Sequence, residues 1–361
     1  MGVNLYSHIF NTVSQSLMWN KARVKCFVGL VQAIIHKRTV NLRELTVSQP
    51  GNALTSSHYR KFQRFFEKFE MPLPDVSRLI LAKIPQPLQG YTLSMDRTNW
   101  KLGKRHINIL TIGVHVGKVC VPLVWKVLPQ SSKNGNSNKS QRIELVSKLL
   151  DVMPSDAIKV LLMDREFLGK QWLGWLNQQG VHYVLRIKHN TVVGNKLADE
   201  HGKSRGRKPA MVQKIWGLDL FFACKPIQRS GGQRLYVVSN HYGGKEALAL
   251  YRQRWGIELL FSNLKKRGFD LEETHLTEDT KLERLMAVVS LSFLFTYGWG
   301  LHLRSLEKQT AHIKRQSDFR YGLDSIEEML FMPHGQRNYR EEFYSWLQHG
   351  KLVSVGENFV V

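Results

Sequence analysis

The sequence is poor in acidic residues and in cysteine, and both shortages narrow the possible functions. Its 361 residues contain 29 aspartates and glutamates against 52 lysines and arginines, which leaves a formal net charge of +23. So large an excess repels itself unless an anionic partner neutralises it, and nucleic acid phosphates and anionic lipids are the common partners. The three cysteines, Cys26, Cys120 and Cys224, form no CxxC pair and no cluster with zinc spacing, which favours a reducing compartment.

The sequence also lacks a signal-peptide pattern, and it offers only a weak candidate for a membrane span. The segment LERLMAVVSLSFLFTYGWGLHL is apolar and, at about 22 residues, long enough to cross a bilayer. Glu283 and Arg284 stand at its start, however, and its flank is polar, which favours a core helix. We therefore expect a cytoplasmic protein that works on nucleic acid and has no membrane partner.

The shortage of acidic residues is greatest near the N-terminus. The first 66 residues contain a single acid, Glu44, against nine lysines and arginines. The segments NLRELTV and TSSHYRKFQRFFEKF predict two helices separated by a turn, an arrangement typical of helix-turn-helix DNA readers. A small helical bundle with a merely basic surface is the alternative, and the near-absence of acids favours DNA binding.

From about residue 86 the pattern changes to short runs rich in β-branched residues. GYTLSMDRTNW, INILTIGVHV and KVCVPLVWKVL predict three consecutive strands. QRIELVSKLLDVM then predicts a helix, AIKVLLMD a strand, REFLGKQWLGWLNQQG a helix and VHYVLRIK a strand. This is the element order of a ribonuclease-H-like nuclease core. We predict an α/β fold in which such a core, a mixed sheet flanked by helices, contains a β-rich insertion and follows a helical N-terminal DNA-binding region.

The predicted boundaries divide the chain into five parts. They are a helical DNA-end-binding region (1–85), the first part of the core (86–190), the β-rich insertion (191–245), the second part of the core (246–305) and a C-terminal helical region (306–361). Two polar segments, SSKNGNSNKS (131–140) and HGKSRGRKPA (201–210), are expected to be loops. The second is basic and could hold target DNA or be a solvated loop without a partner, and the sequence leaves both open.

One short stretch, YRQRWGIELLFSNLKKRG at 251–268, predicts an amphipathic helix that ends at its glycine. At about 100° per residue, Tyr251, Arg254, Glu258 and Lys265 fall within a single arc roughly 60° wide. The apolar residues occupy the other side of this helix. An ordinary surface ion pair between Arg254 and Glu258 is the alternative, but it leaves the tyrosine and the lysine unexplained.

Two aspartates each follow an apolar strand: Asp96 comes after YTLSM and Asp164 after IKVLLM. A turn at Asp96 and a helix N-cap at Asp164 are the alternatives. In a ribonuclease-H-like core the first and fourth strands are neighbours, so both carboxylates would project to one place, and a glutamate from a later helix, Glu258, would complete a nest of three. Three carboxylates that close require cations, and with two Mg²⁺ they form a phosphoryl-transfer site.

These motifs together resemble the cut-and-paste DDE transposases of the insertion-sequence-four family. Tyr251-x2-Arg254-x3-Glu258-x6-Lys265 matches that family's Y-R-E-K pattern, and MDRTNW and LLMDREF are similar to its two aspartate motifs. The resemblance covers roughly residues 90 to 330. It implies the following site: Asp96, Asp164 and Glu258 as catalytic metal ligands, and Tyr251, Arg254, Lys265 and Arg186 as contacts to DNA.

The resemblance also implies the partners. They are two Mg²⁺ ions, with Mn²⁺ as a substitute, double-stranded DNA as element ends and as target, and a second copy of the chain in a paired-end complex. Such an enzyme would act at the bacterial nucleoid. Trp216, in the insertion, is of the type that holds a flipped base in this family, although a core tryptophan is the favoured interpretation. An inactive or domesticated DNA-binding protein and a stand-alone nuclease remain as alternatives.

Overall fold

The computed structural model describes residues 5–47, 53–129, 136–203, 212–227, 233–307, 316–331 and 337–352. The chain divides into two compact units. The helical unit comprises Met1–Pro85, Asn99–Ile107 and Leu260–Val361, and the sheet unit comprises Gln86–Thr98 and Asn108–Leu259.

The secondary structure has the following bounds. The helices are α1 (Leu5–Ser16), α2 (Lys21–Lys37), α3 (Leu42–Thr46), α4 (Thr55–Lys68), α5 (Leu73–Lys83), α6 (Lys139–Leu150), α7 (Lys170–Gln178), α8 (Ala198–Lys203), α9 (Gly244–Gln253), α10 (Trp255–Leu264), α11 (Asp279–Leu306), α12 (Asp318–Phe331) and α13 (Arg337–His349). The strands are β1 (Tyr91–Leu102), β2 (Arg105–Val116), β3 (Val119–Val127), β4 (Ile158–Met163), β5 (Tyr183–Arg186), β6 (Val192–Val193), β7 (Lys196–Leu197), β8 (Val212–Ile215), β9 (Leu218–Pro226) and β10 (Arg234–Ser239).

Eight of the described strands form one mixed sheet in the order β3-β2-β1-β4-β5-β10-β9-β8. The central strands β1, β4 and β5 run parallel to one another. The predicted order of three strands, helix, strand, helix and strand is confirmed. The second of these helices was predicted to begin at Arg165, but a short 3-10 turn occupies Arg165–Phe167 and α7 begins at Lys170. A mixed sheet flanked by helices is consistent with the ribonuclease-H-like fold.

The start of β1 depends on a glycine. Gly90 has a φ of +84°, and a Cβ there would lie 2.8 Å from the carbonyl oxygen of Ala157 and 2.9 Å from the amide nitrogen of Lys159. Real Cβ atoms do not approach backbone atoms so closely, so a larger residue would push the two chain segments apart. Because Ala157 leads directly into β4, Gly90 allows β1 and β4 to begin side by side.

The segment predicted as an insertion is β-rich: three of its strands continue the main sheet, and β6 and β7 form a separate two-stranded sheet. β10 pairs antiparallel with β5, and β9 and β8 follow outward. Without β10, strand β5 would expose an unpaired edge although its first three residues, Tyr183 to Leu185, are buried. Trp216 lies in the two-residue turn between β8 and β9, with a φ of 52°, and is partly exposed. The interpretation of Trp216 as a core residue is therefore wrong.

Both predicted polar loops lie partly outside the described residues. Of SSKNGNSNKS the structure describes residues 136–140, where α6 begins, and of HGKSRGRKPA it describes residues 201–203, the end of α8. The predicted roles of the basic loop stay predictions.

The apolar helix α11 is long and apolar enough to cross a membrane, the one such helix among the described residues, and 94% of its most apolar window is buried by the protein itself. In the helical unit it packs against α2, α4, α5, α12 and α13. Two of its buried hydroxyls bond within the helix: the Ser292 hydroxyl donates to the Val288 carbonyl at 2.9 Å and the Thr296 hydroxyl to the Ser292 carbonyl at 2.8 Å. Such burial is typical of a core helix, as the sequence indicated.

Candidate active site

The two aspartates come together because β1 and β4 are parallel neighbours in register. Met95 of β1 is opposite Met163 of β4, so the next residues along the two chains are Asp96 and Asp164. β4 ends at Met163, as predicted, but β1 continues to Leu102. Asp96 thus lies inside a strand and not at its end or in a turn, because the β1–β2 hairpin extends beyond the edge of β4.

The Asp96 carboxylate is held by two donors and is mostly buried, with 18% of its side chain exposed. Oδ1 accepts the backbone N–H of Arg97 at 2.8 Å, and Oδ2 accepts the guanidinium of Arg254 at 3.0 Å. Burial raises the pKa of Asp96 to about 6, against the lowering effects of the Arg97 amide and Arg254. The charges of Glu166 and Asp164 act in the same direction as burial.

The Asp164 carboxylate accepts the hydroxyl of Tyr251 at 3.1 Å, and the Arg186 guanidinium lies 3.9 Å away. Its side chain makes no capping hydrogen bond to the turn that follows, which removes the N-cap alternative. The Tyr251 ring packs in the core cluster that includes Val160 and Leu162 of β4. Burial raises the pKa of Tyr251 above its usual value, so the hydroxyl remains a proton donor to Asp164.

The segment predicted as one helix from Tyr251 to Gly268 is broken, which corrects the single-arc geometry. α9 ends at Gln253 and α10 begins at Trp255. Around Arg254 the chain tightens into three-residue turns, with Arg254 N–H donating to the Tyr251 carbonyl and Ile257 N–H to the Arg254 carbonyl, both at 3.1 Å. α10 ends at Leu264, four residues before the predicted end at Gly268.

Arg254 lies between two of the predicted metal ligands. Its side chain, 9% exposed, donates to Asp96 on one side and to Glu258 on the other. Burial acts to lower the pKa of the guanidinium, but the surrounding groups, including Asp96 and Asp164, outweigh burial and raise it. In this arrangement Tyr251 and Arg254 contact carboxylates, whereas the resemblance implied that they contact DNA.

The expected nest of three carboxylates is therefore not closed. In the part of the chain that the structure describes, no three His, Cys, Asp or Glu side chains are grouped so that they could hold a metal ion. The donor chemistry of Asp96 and Asp164 nevertheless fits a hard divalent cation, which prefers carboxylate oxygens. Glu258 reaches Asp96 only through the Arg254 guanidinium, and a third of its side chain is exposed.

Lys265 belongs to the helical unit, and the residues that its ammonium group contacts belong to the same unit. Its ammonium group donates to the Asn99 carbonyl at 2.8 Å, pairs with Glu272 at 2.9 Å and lies over the Trp100 ring. These contacts fix the side chain within this unit.

The sequence model of the transposase DDE domain family matches residues 90–295, which is more than half of the chain. The chain belongs to the transposase DDE domain family. No curated protein matches the sequence. The match starts just before β1, ends within α11 and spans every predicted catalytic residue. A transposase DDE domain is in general a metal-dependent domain that cuts DNA, so this transposase has DNA as its substrate.

Sequence reasoning did not single out Arg97 and Glu166, which lie one or two positions after the aspartates of the candidate site. Arg97 donates to the Asn108 side chain at 2.5 Å, and its second terminal nitrogen lies 3.5 Å from a Glu166 oxygen. The contact between Arg97 and Glu166 links the segment around Asp96 to the segment around Asp164. Their position inside MDRTNW and LLMDREF was a signal that could have identified them.

A polar contact between Ser94 and His115 lies close to Asp96 along β1. On β1, Ser94 shares the face of Asp96, and its hydroxyl is 2.7 Å from Nε2 of His115. The thiol of Cys120 lies 3.2 Å from the same nitrogen. Burial lowers the pKa of His115 to about 4, so the ring is neutral at pH 7. A Cβ on Gly256 would lie 2.9 Å from Cε1 of this ring and 2.9 Å from the carbonyl oxygen of Lys118.

Replacing Gly256 with alanine is expected to destabilise the transposase by about 1–3 kcal/mol, because the new methyl group overlaps a ring and a backbone oxygen. The start of α10, which carries Glu258, would then shift. Urea unfolding measures the loss. Gly174→Ala in α7 is the matched control, since a Cβ there meets nothing within 4 Å and the change favours the helix. An equal effect of both substitutions would contradict the close approach.

The raised pKa of Asp96 predicts a pH-dependent cost to stability. The folded protein takes up this proton at about pH 6, whereas the usual value is 3.8. The ionised carboxylate therefore costs stability fully above about pH 6 and not below about pH 4. Relative to the wild type, Asp96→Asn is expected to gain about 2.5 kcal/mol of unfolding free energy between about pH 4 and about pH 7.5. Urea unfolding in EDTA tests this, and a pH-independent difference would refute it.

Proposed function

We propose that this protein is a cut-and-paste transposase of the insertion-sequence-four family. It binds the terminal inverted repeats of its element, cleaves both ends and joins the 3′-ends to target DNA. The main support for the proposal is that Asp96 and Asp164 directly follow Met95 and Met163, which lie opposite each other on two parallel strands inside the matched domain.

Asp96, Asp164 and Glu258 are the proposed metal ligands, and two Mg²⁺ ions, or Mn²⁺ in their place, are the proposed cofactors. Bound there, the ions would supply activation of the attacking oxygen and stabilisation of the leaving oxygen. The protein's own residues orient these ligands. The Tyr251 hydroxyl fixes Asp164, the Arg97 amide fixes Asp96, and Arg254 donates to two carboxylates at once.

The DNA strand being cut would lie against the basic residues around Asp164. Arg186, a third of which is exposed, lines a depression of about 430 Å³ together with Arg165, Lys188 and Arg234. Guanidinium and ammonium groups that are so placed suit phosphate oxygens. Lys265 is a further proposed phosphate contact, and Tyr251 and Arg254 are proposed to act close to the cut through the carboxylates they hold.

The remaining parts of the proposal concern assembly. The helical N-terminal region binds the element ends, and two copies of the chain pair two ends before cleavage. The enzyme acts in the cytoplasm, at the nucleoid. The charge of +23 supports this, because a paired-end complex brings several DNA segments against one protein surface.

The test is an excision and joining reaction. The purified protein is incubated with labelled DNA that carries both element ends, a target plasmid and either Mg²⁺ or EDTA, and the products are resolved on a denaturing gel. Metal-dependent excised and joined products support the proposal. End binding without cleavage would identify a DNA-binding protein without activity, and cleavage without end preference or joining would identify a stand-alone nuclease.

A further inference from the structure

Helix α4 presents an uninterrupted polar face on the helical unit. Phe62, Phe65 and Phe66 are fully buried on its inner side. Arg60, Gln63 and Arg64 are exposed on its outer side, one turn or less apart. We call these three residues and the groove on each side of them the α4 surface.

Both grooves beside α4 are lined by basic residues. The first, of about 800 Å³, is lined among others by Tyr59, Arg60, Gln63, Arg43, His275 and Lys281. The second, of about 500 Å³, is lined among others by Arg23, Cys26, Lys61, Phe65 and Lys68. Arg64 lines both grooves, and Glu67 is the one acid among the described lining residues.

In the part of the chain that the structure describes, no carboxylate neutralises the cations at the centre of α4. Within the described ranges, Arg60, Lys61 and Arg64 form no ion pair, whereas Arg38 and Arg304 of the same unit each pair with two carboxylates. Three unpaired cations on two helical turns repel one another and favour an anionic partner. Charge complementarity therefore indicates a polyanion along α4.

Contacts with other parts of the helical unit hold α4 in place. The guanidinium of Arg284, on α11, donates to the Phe66 carbonyl and lies 3.3 Å from the Glu67 carbonyl, both at the C-terminal end of α4. A cation at these unpaired carbonyls stabilises the helix end. Phe65 also packs against Phe66, Phe69 and Phe27. The side chains of the α4 surface thus project from a rigid support.

We propose that α4 enters the major groove of duplex DNA, with Arg60, Gln63 and Arg64 against base edges and the two flanking grooves against the two phosphate backbones. This inference rests on the proposed binding of element ends and assigns the residues that read them. A major groove about 12 Å wide admits one helix, arginine pairs with guanine, and glutamine pairs with adenine. Arg43 then contacts one backbone, and Arg23 and Lys68 contact the other.

The experiment measures fluorescence anisotropy of the full-length protein on two duplexes, one with the terminal repeat that flanks the coding sequence and one with its base order scrambled. Arg60→Ala and Arg64→Ala are each expected to weaken binding to the repeat by about 10- to 100-fold and to reduce the preference over the scrambled duplex. Arg23→Ala and Arg43→Ala are expected to weaken binding to both duplexes equally. Each is also expected to lower by about one the slope of the logarithm of the binding constant against the logarithm of the salt concentration.

Arg320→Ala is the control, because it removes the same charge from α12, where Arg320 is already paired with Asp324. It is expected to change neither affinity nor preference. Full preference in both the Arg60 and Arg64 variants would overturn the inference. A wild type without preference for the repeat would instead contradict the proposed end binding itself.

A second measurement with the wild type alone avoids dependence on the folding of variants. Dimethyl sulfate methylates guanine N7, which lies in the major groove. Protection of guanines in the repeat from methylation is the expected result, and unprotected guanines within a bound repeat would overturn major-groove entry.

Discussion

Replacing Asp96 with asparagine is expected to lower the rate of DNA cleavage by about 1000-fold while leaving DNA binding intact. Asparagine keeps the size of the side chain and its acceptor for the Arg97 amide, but it removes the negative charge that a divalent ion requires. Loss of a metal-ion contribution of several kcal/mol corresponds to roughly this factor. Asp164→Asn is expected to lower the cleavage rate by a similar factor, since Asp96 and Asp164 directly follow the paired residues Met95 and Met163 of two parallel strands.

The measurement compares single-turnover cleavage of labelled element ends with binding of the same DNA by gel shift. Asp156→Asn is the matched control: it makes the same chemical change at an exposed residue shortly before β4 and is expected to cleave at the wild-type rate. Cleavage by either active-site variant within tenfold of the wild type would remove that aspartate from the proposed metal site.

The sheet could be predicted from the sequence because its strands are marked by local composition. YTLSM and IKVLLM are rich in large apolar residues and almost entirely buried, as expected for strands in the centre of a sheet that is covered on both faces. The neighbouring placement of Asp96 and Asp164 then followed from the analogy between this element order and a ribonuclease-H-like core. The extension of β1 beyond Asp96 could not be predicted, because RTNWKL is a mixed run that fits a turn as well as a strand.

The details of the site depend on charges that meet only in the folded protein. Nothing in YRQRWGIELL signals a break, yet the chain turns at Arg254, whose guanidinium reaches Asp96 from a sequence distance of 158 residues. Tyr251 was placed on the outer face by helical periodicity, but the structure buries its ring and directs only the hydroxyl to Asp164. Periodicity describes one helix, and it carries no information about a carboxylate on another element.

The grooves beside α4 show the same division between local and long-range information. The basic composition of this region and the helix itself were predictable from residues 1–85. The part of the groove wall that His275 and Lys281 supply was not predictable, since these residues are far from α4 in the sequence. The inference of major-groove binding therefore needed the structure, whereas the expectation of a nucleic acid partner did not.

Replacing Arg254 with alanine is expected to destabilise the protein by about 3 kcal/mol at neutral pH. Removing one partner of a buried ion pair costs about 3–5 kcal/mol, because the other charge remains buried without compensation. Asp96 is such a charge, with 18% of its side chain exposed. Glu258 is 33% exposed, so water partly compensates its carboxylate for the lost contact with Arg254. Arg254→Lys is expected to reduce the free energy of unfolding by a smaller amount. Its ammonium group keeps the charge but cannot contact both carboxylates as the guanidinium does.

The effect of leaving the Asp96 charge without a partner can be separated from the effect of lost packing by neutralising Asp96. In an Asp96→Asn background the same Arg254→Ala change is expected to cost about 1 kcal/mol, because no buried anion is left behind. Lower pH provides a second route. Arg254 holds the pKa of Asp96 down, so without it the pKa rises further above about 6, and Asp96 is neutral at about pH 5. Urea unfolding in EDTA at both pH values should thus show the Arg254→Ala penalty shrinking as pH falls, and a penalty equal at both would place the role of Arg254 in packing.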